Sequence, residues 1–359
     1  MPSKLGRYLH HLWQSVVYWS LALGFFAILR YYGADGNSAA IINPNLDEKS
    51  PILPHLSVLM SMGACLGVLY ALIEWYFENS ILRRFTLGLH LMLKTMAYFI
   101  SSIIIFTIVL NITSNILPVD FNLERGWWIA NKTVWVLLFY IFFGSLVFSF
   151  LKMASERFGK NMFLKTLVGR FKYPHEQHRI FMFADLKDAT SLAERLGHFR
   201  YSQLIQDCFE DLNHIAPLYE AEIYQYVGDE AVLTWPFEKG VRNNNCIHFF
   251  RAFQKQLSIR ESYYLEKYEA LPIFKAGVHG GKLIVVEVGH VKKELAYHGD
   301  VINTAARIQG QCNLNNSDFL ISEELLKHLD DGINVTKIEE KVTLKGKDNK
   351  VVIYSINRE

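Results

Sequence analysis

The sequence predicts two parts in series: an α-helical transmembrane bundle of four spans, then a water-soluble α+β domain of ferredoxin-like build. Three observations predict this. Charge is unevenly divided: residues 1–152 hold 10 Lys/Arg and 7 Asp/Glu, against 37 and 35 in all 359 residues. The remaining 207 residues therefore hold 27 and 28, and the charged fraction rises from about 11% to about 27% along the chain. Next, four stretches of the first part lack Asp, Glu, Lys and Arg and are long enough to cross ~30 Å of hydrocarbon. Finally, strand and helix patterns alternate through the second part, as in two-layer α+β domains.

Composition excludes several classes. A chain 51% hydrophobic is not intrinsically disordered, and 22 Gly and 9 Pro exclude collagen-like or low-complexity character. The four Cys, at 65, 208, 246 and 312, contain no CxxC pair and form neither a disulfide framework nor a zinc pattern. A net charge of +2 gives no argument for nucleic acid as a partner.

The uncharged stretches are Leu12–Leu29, Pro51–Ile73, Thr95–Val119 and Thr133–Leu151. The first is long for a signal-peptide h-region and no A-x-A cleavage pattern follows it, so a retained helix is expected. Lys4, Arg7, Arg83, Arg84, Lys94, Lys152, Arg157, Lys160, Lys165 and Arg170 would share one side, against Arg30, Lys49, Arg125 and Lys132 on the other. The positive-inside rule then places both termini in the cytoplasm, giving a multi-pass protein of the inner or plasma membrane in contact with lipid. The predicted span interiors carry no charge, which argues against a transport route. His10, His11, His55 and His90 do not sit at matched depths as a haem pair, and Asn111, Thr113 and Asn115 read as the polar end of a span.

Residues 1–151 are thus the membrane domain. Residues 152–173 are basic and amphipathic, with Met153, Ala154, Phe158, Met162, Phe163, Leu167 and Phe171 near helical spacing. They suit a helix lying on an anionic surface or pairing with its counterpart in a dimer, and Gly159 interrupts the pattern. Pro174 marks the boundary of the soluble domain, 174–359. There the pattern predicts a buried strand at Ile180–Ala184, helices at Ser191–Leu196 and Tyr201–Tyr219, and strands Ala221–Val227 and Ala231–Trp235 joined at Gly228–Asp229. A long helix follows at 245–268, then strands 274–278 and 283–288, a helix at 301–311, a strand at 319–321, and a last pair at 341–344 and 351–356.

Four features in this half can carry chemistry. Asp185 ends the apolar strand in FMFADLKDAT, and the helix expected after Thr190 would aim its first amides at the same space. That suits a hydrated metal ion with phosphates, although an Asp at a strand end is commonly a helix cap. Asp229 sits at a hairpin tip in YVGDEAVLTW, which alone is a good turn sequence. If the two strands are neighbours, both carboxylates meet on one rim and could hold two divalent ions. In AYHGDVINTAARIQ, Asn303 and Arg307 are four apart on one helix face, suited to a sugar and a phosphate or simply solvated. Lys345 lies in VTLKGKDNKVVIYSI beside Gly346, a weak feature by itself.

The segments FADLKDATSLAE, YQYVGDEAVLTW, GVHGGKLIVVEVG and HGDVINTAARIQ, in this order, resemble the class III adenylate/guanylate cyclase catalytic domain over residues 178–357. The four-span arrangement resembles membrane-bound bacterial members. The resemblance implies that Asp185 and Asp229, with the Leu186 carbonyl, bind two Mg²⁺ or Mn²⁺ ions. It implies that Asn303 orients the ribose, Arg307 stabilises the phosphorus centre and Lys345 holds the terminal phosphates. It further implies a homodimer in which one subunit supplies the aspartates and the other Asn303, Arg307 and Lys345. The reaction implied is conversion of a nucleoside triphosphate, with ATP favoured, to a 3′,5′-cyclic nucleotide and pyrophosphate.

The sequence departs from that pattern at the purine. Adenylate-selective members carry Lys three residues before the hairpin Gly and Asp, Thr or Ser three before the Gly of the later helix. Those positions hold Gln225 and Ala296 here, and the guanylate-selective combination is absent too. Asp188–Ala189 replaces the common Gly-Phe after the first aspartate. A diguanylate cyclase would explain VGDEA but not HGDVINTAARIQ. A catalytically silent receptor is disfavoured by the five retained polar residues, and a P-loop ATPase by the absence of GxxxxGK[ST].

Overall fold

The first helix starts within the basic N-terminal segment and continues through an uninterrupted apolar run. In the computed structural model, the described residues are 4–33, 52–79, 87–116, 132–158, 169, 171–290, 294–338 and 351–357. They divide into two units, residues 2–157 and 158–359. The first unit has four described helices: α1 (Lys4–Gly33), α2 (Ile52–Asn79), α3 (Leu87–Ile116) and α4 (Lys132–Phe158). Three contain stretches long and apolar enough to cross a membrane: His11–Tyr32, Leu56–Phe77 and Trp135–Lys152. In α3 the apolar stretch among the described residues is shorter, Met92–Ile105. The side chains of His10, His55, His90, Asn111, Thr113 and Asn115 lie outside the described ones.

Small residues set the packing of α1 on α2. A Cβ at Gly63 would stand 2.3 Å from the Trp19 carbonyl oxygen, and one at Gly67 would stand 2.5 Å from Val16 Cα. This Gly-x-x-x-Gly pair lets two helix backbones touch, because neither position interposes a side chain. The expectation of charge-free spans needs correction. Glu74, one residue past the predicted second span, is buried inside a candidate spanning stretch. Its carboxylate meets Lys94 Nζ at 2.6 Å, and also pairs with Lys152 and accepts a bond from Tyr98. Each of the three charges lies one residue outside a charge-free run, and their mutual pairing offsets the cost of burying them.

The second unit begins its described sheet immediately after Pro174. Its strands are β1 (His175–Leu186), β2 (Glu222–Val227), β3 (Glu230–Pro236), β4 (Phe274–Val288), β5 (Glu294–His298), β6 (Phe319–Ser322), β7 (Val335–Lys337) and β8 (Ile353–Ile356). The order is β2-β3-β1-β4-β6-β8-β7, with β5 paired to the distal half of β4. β1 is central and antiparallel to both β3 and β4, which explains its unbroken apolar run: it is buried on both faces. On one face Ile180, Met182 and Ala184 pack with Leu233, Trp235, Phe274 and Ala276 against α5 (Ala189–Ile215), α6 (Asn245–Ile259) and α7 (Glu261–Tyr268). On the other, Phe181, Phe183, Val232, Leu283 and Val285 pack with Val301 and Ala305 of α8 (Asp300–Gly310).

Several predicted boundaries move. The strands 274–278 and 283–288 are one 15-residue strand, because Gly280 and Gly281 stay extended beneath Phe237 and Val301 instead of turning. The two helices expected over 191–219 are one helix kinked at Gly197 (φ 70°), followed by a 3₁₀ turn at Ala216–Tyr219. The helix expected over 245–268 breaks at Arg260. Phe171 lies in a turn, not a helix: its ring is buried and its carbonyl accepts from Glu287 N at 2.9 Å, fastening the end of the linker to β4. Linker residues 159–168 and 170, and the strand expected at 341–344, lie outside the described residues; the described partners of β8 are β6 and β7.

One buried carboxylate ties the helical layer together. Asp211 on α5 accepts from Arg260 Nη1 at 2.8 Å, Tyr264 Oη at 2.6 Å and Gln256 Nε2 at 3.1 Å. Replacing it with Ala would leave these donors unsatisfied. Asp211→Ala is expected to cost about 3 kcal/mol, read as a lower unfolding midpoint, with Asp211→Asn losing less.

Candidate active site

Strand register builds the site. On β1, Asp185 stands opposite Glu230 of β3 on one side and Lys275 of β4 on the other. Cross-strand partners share a face, so the three side chains form a row at one end of the sheet. Asp229 occupies the β2–β3 turn beside that row, after Gly228 at φ 62°, a backbone region that glycine enters without steric cost. Both predicted aspartates therefore lie at one rim and feel each other. Burial and then the Asp185 charge push the Asp229 carboxyl above its usual range. Burial, Asp185 and Asp229 together push Glu230 up to about 7. Tyr201 of α5 faces the same charges, and burial followed by Asp229 and Asp185 raises its hydroxyl to about 12.

Asp185 is held by one oxygen. Its Oδ2 meets Lys275 Nζ at 3.1 Å and accepts from Gln309 Nε2 at 3.1 Å. Sequence reasoning missed Lys275, Gln309, Glu230 and Tyr201. Glu230 and Gln309 stood inside quoted motifs, but only the sheet register and the seat of α8 reveal what they face. Leu186 is buried, and the adjacent Lys187 N bonds Ile273 O at 2.8 Å, which fixes the strand end below the rim.

The helix after Asp185 starts at Ala189, so Thr190 lies exposed in its first turn rather than preceding it. Asp188 takes a left-handed conformation (φ 55°), which explains why glycine is common there. Asn303 and Arg307 lie on α8, with Asn303 exposed, and neither side chain bonds or pairs with another described residue of the chain. Neither is brought onto the aspartates of its own chain. Gln225 is exposed and follows a bulge at Tyr224. The Tyr224 hydroxyl donates to Leu295 O at 3.4 Å and its ring meets Tyr297 edge-on, so Gln225 and Ala296 belong to adjoining segments. Lys345 lies outside the described residues.

The donor set fits divalent ions of the hard, oxygen-seeking kind. Among the described residues no three His, Cys, Asp or Glu side chains cluster to form an all-protein metal cage. Two carboxylates at an open rim instead match how Mg²⁺ is usually held, by one or two carboxylates with phosphates and water completing the shell.

The rim, the hairpin and the separately presented Asn/Arg helix describe a nucleotidyl cyclase type of domain. Residues 172–358 match the family model of the adenylate and guanylate cyclase catalytic domain, and the chain belongs to that family. It is 33% identical over 209 residues to adenylate cyclase 2 of Rhizobium meliloti (strain 1021), covering 58% of this chain and 57% of that one. It is 24% identical over 184 residues to an adenylate cyclase of Anabaena cylindrica, covering 49% and 36%. The matches thus span about half or less of these relatives' length. A bacterial light-regulated adenylyl cyclase structure shares the fold at a TM-score of 0.54 and 16% identity, over 64% of this chain and 67% of that one.

Proposed function

We propose that the chain is a membrane-anchored adenylate cyclase, converting ATP to 3′,5′-cyclic AMP and pyrophosphate in signal transduction. The observation that carries this reading is the pairing of a two-aspartate rim with an Asn303/Arg307 face that finds no partner among the described residues of its own chain. Such a face is complete only when a second copy presents its rim, so two sites form across a symmetric homodimer. Asp185 and Asp229, with the Leu186 carbonyl, would hold two Mg²⁺ or Mn²⁺ ions, which supply charge neutralisation on the phosphates and acidify the attacking hydroxyl. Asp185 offers Oδ1 for this, since Oδ2 is occupied.

The other roles follow from charge and reach. Asn303 positions the ribose so that its 3′-oxygen lines up with the α-phosphorus. The new O3′–P bond forms as the bond to the β-phosphate oxygen breaks, pyrophosphate departs, and the hydroxyl proton is released. Arg307 stabilises the negative charge that builds on the phosphorus oxygens, and Lys345 the terminal phosphates. Thr190, exposed in the first turn of α5, would lie with that helix N-terminus beside the phosphates. The membrane part, residues 1–151, is read as four spans with α3 as the third, both termini cytoplasmic, joined by the linker 152–173 to the catalytic part 174–359.

The test is incubation of the purified full chain with Mn²⁺ and ATP or GTP, with the product weighed by mass spectrometry; no cyclic product from either overturns the reading. Gln225 can donate to or accept from either purine, so GTP conversion is the measured alternative. Restoring a purine-reading pair, Gln225→Lys with Ala296→Asp, is expected to raise the ATP-over-GTP ratio of kcat/KM about tenfold.

A further inference from the structure

Gln309 occupies a different side of α8 from the two polar residues of the proposed site. At about 100° per residue it lies roughly 200° around the helix from Arg307 and 240° from Asn303. It is 8% exposed, and its amide nitrogen donates to Asp185 Oδ2 at 3.1 Å. The helix is seated tightly at this point: a Cβ on Gly277 would come 2.1 Å from the Gln309 backbone nitrogen and 2.5 Å from its Cα. One short helix therefore touches the rim of its own chain at its end and offers Asn303 and Arg307 outward, about 9 Å and 3 Å away along the axis.

We propose that Gln309 is a positioning residue that makes α8 a link between the two sites of the dimer. The proposal rests on the shared-site reading given above. Nucleotide held by Asn303 and Arg307 at the partner's rim restrains α8. The restraint reaches Gln309, wedged over Gly277, and so fixes the Asp185 carboxylate of the same chain. Ordering at the first site thereby prepares the second, which is positive cooperativity without any new contact. Lys275 shares the same carboxylate oxygen but sits on β4, so it steadies Asp185 without reporting on the helix.

The test uses the full chain in detergent, with Mn²⁺ binding followed by the paramagnetic resonance of free ion and cyclase rates measured against ATP. Wild type is expected to show a Hill coefficient of about 1.5 for nucleotide. Gln309→Met, which keeps the volume and removes the amide, is expected to bring it to about 1.0 and to weaken Mn²⁺ binding about tenfold. Gln309→Ala repeats the measurement in case the Met variant does not assemble. A wild-type coefficient of 1, or an unchanged coefficient in both variants, overturns the inference while leaving the enzyme reading intact. Mn²⁺ that binds wild type and Asp185→Asn alike overturns the metal assignment and this inference with it.

Discussion

Co-expression of Asp185→Ala and Arg307→Ala chains in equal amounts is expected to restore about a quarter of wild-type cyclase activity, although each variant alone falls by about 1,000-fold. The figure follows from the geometry. Random pairing makes half of the dimers mixed, and each mixed dimer has one site with both intact partners and one with neither. The large single-variant losses follow from what the proposed site would lose: a carboxylate for the cations in one case and a positive charge for the phosphate in the other. Asn303 and Arg307 find no partner among the described residues of their own chain, which is why an intersubunit site is expected. Mixed dimers that form, shown by two differently tagged chains purifying together, yet stay inactive would place both residues in one subunit's site.

Gly277→Ala is expected to damage activity through the scaffold. The added methyl would stand 2.1 Å from a backbone nitrogen, and neither β4 nor α8 can yield there as a flexible side chain would. The helix must lift, at a cost of about 2–3 kcal/mol in stability. A displacement of about 1 Å at Asn303 and Arg307 would lower kcat about 100-fold. The neighbouring Gly310, where an added Cβ meets nothing within 4 Å, is the control: Gly310→Ala should leave both quantities close to wild type. Thermal unfolding and steady-state rates on the same preparations separate the two contributions, and an active, stable Gly277→Ala enzyme would show that α8 has slack.

Periodicity made the central strand, the hairpin turn and α8 legible, because each has a strong local cause. IFMFA is apolar on both faces, Gly228–Asp229 is a turn pair, and Val301, Ala305 and Ile308 repeat at helical spacing. Legibility failed where local signals were ambiguous. The glycines at 280 and 281 read as a turn but lie in an extended strand under bulky neighbours. The Gly63/Gly67 pair stands in an apolar run, and the sequence does not show which backbone lies against it. Glu74 ended a predicted span, and only the approach of Lys94 and Lys152 places it inside the bundle.

The same division holds at the site. Residue type and order set a charge-poor part against a charged one, and the order of four motifs, through their resemblance to a known family, marked Asp185, Asp229, Asn303 and Arg307 as candidates. Which side chains face Asp185 was decided only when β1, β3 and β4 came into register and α8 settled over Gly277. Glu230, Lys275 and Gln309 lie 45, 90 and 124 residues from Asp185 along the chain, and no local pattern encodes such distances. A hydrogen-bonded ladder and a close-packed helix do, because a one-residue slip in either would turn these side chains away from the carboxylate.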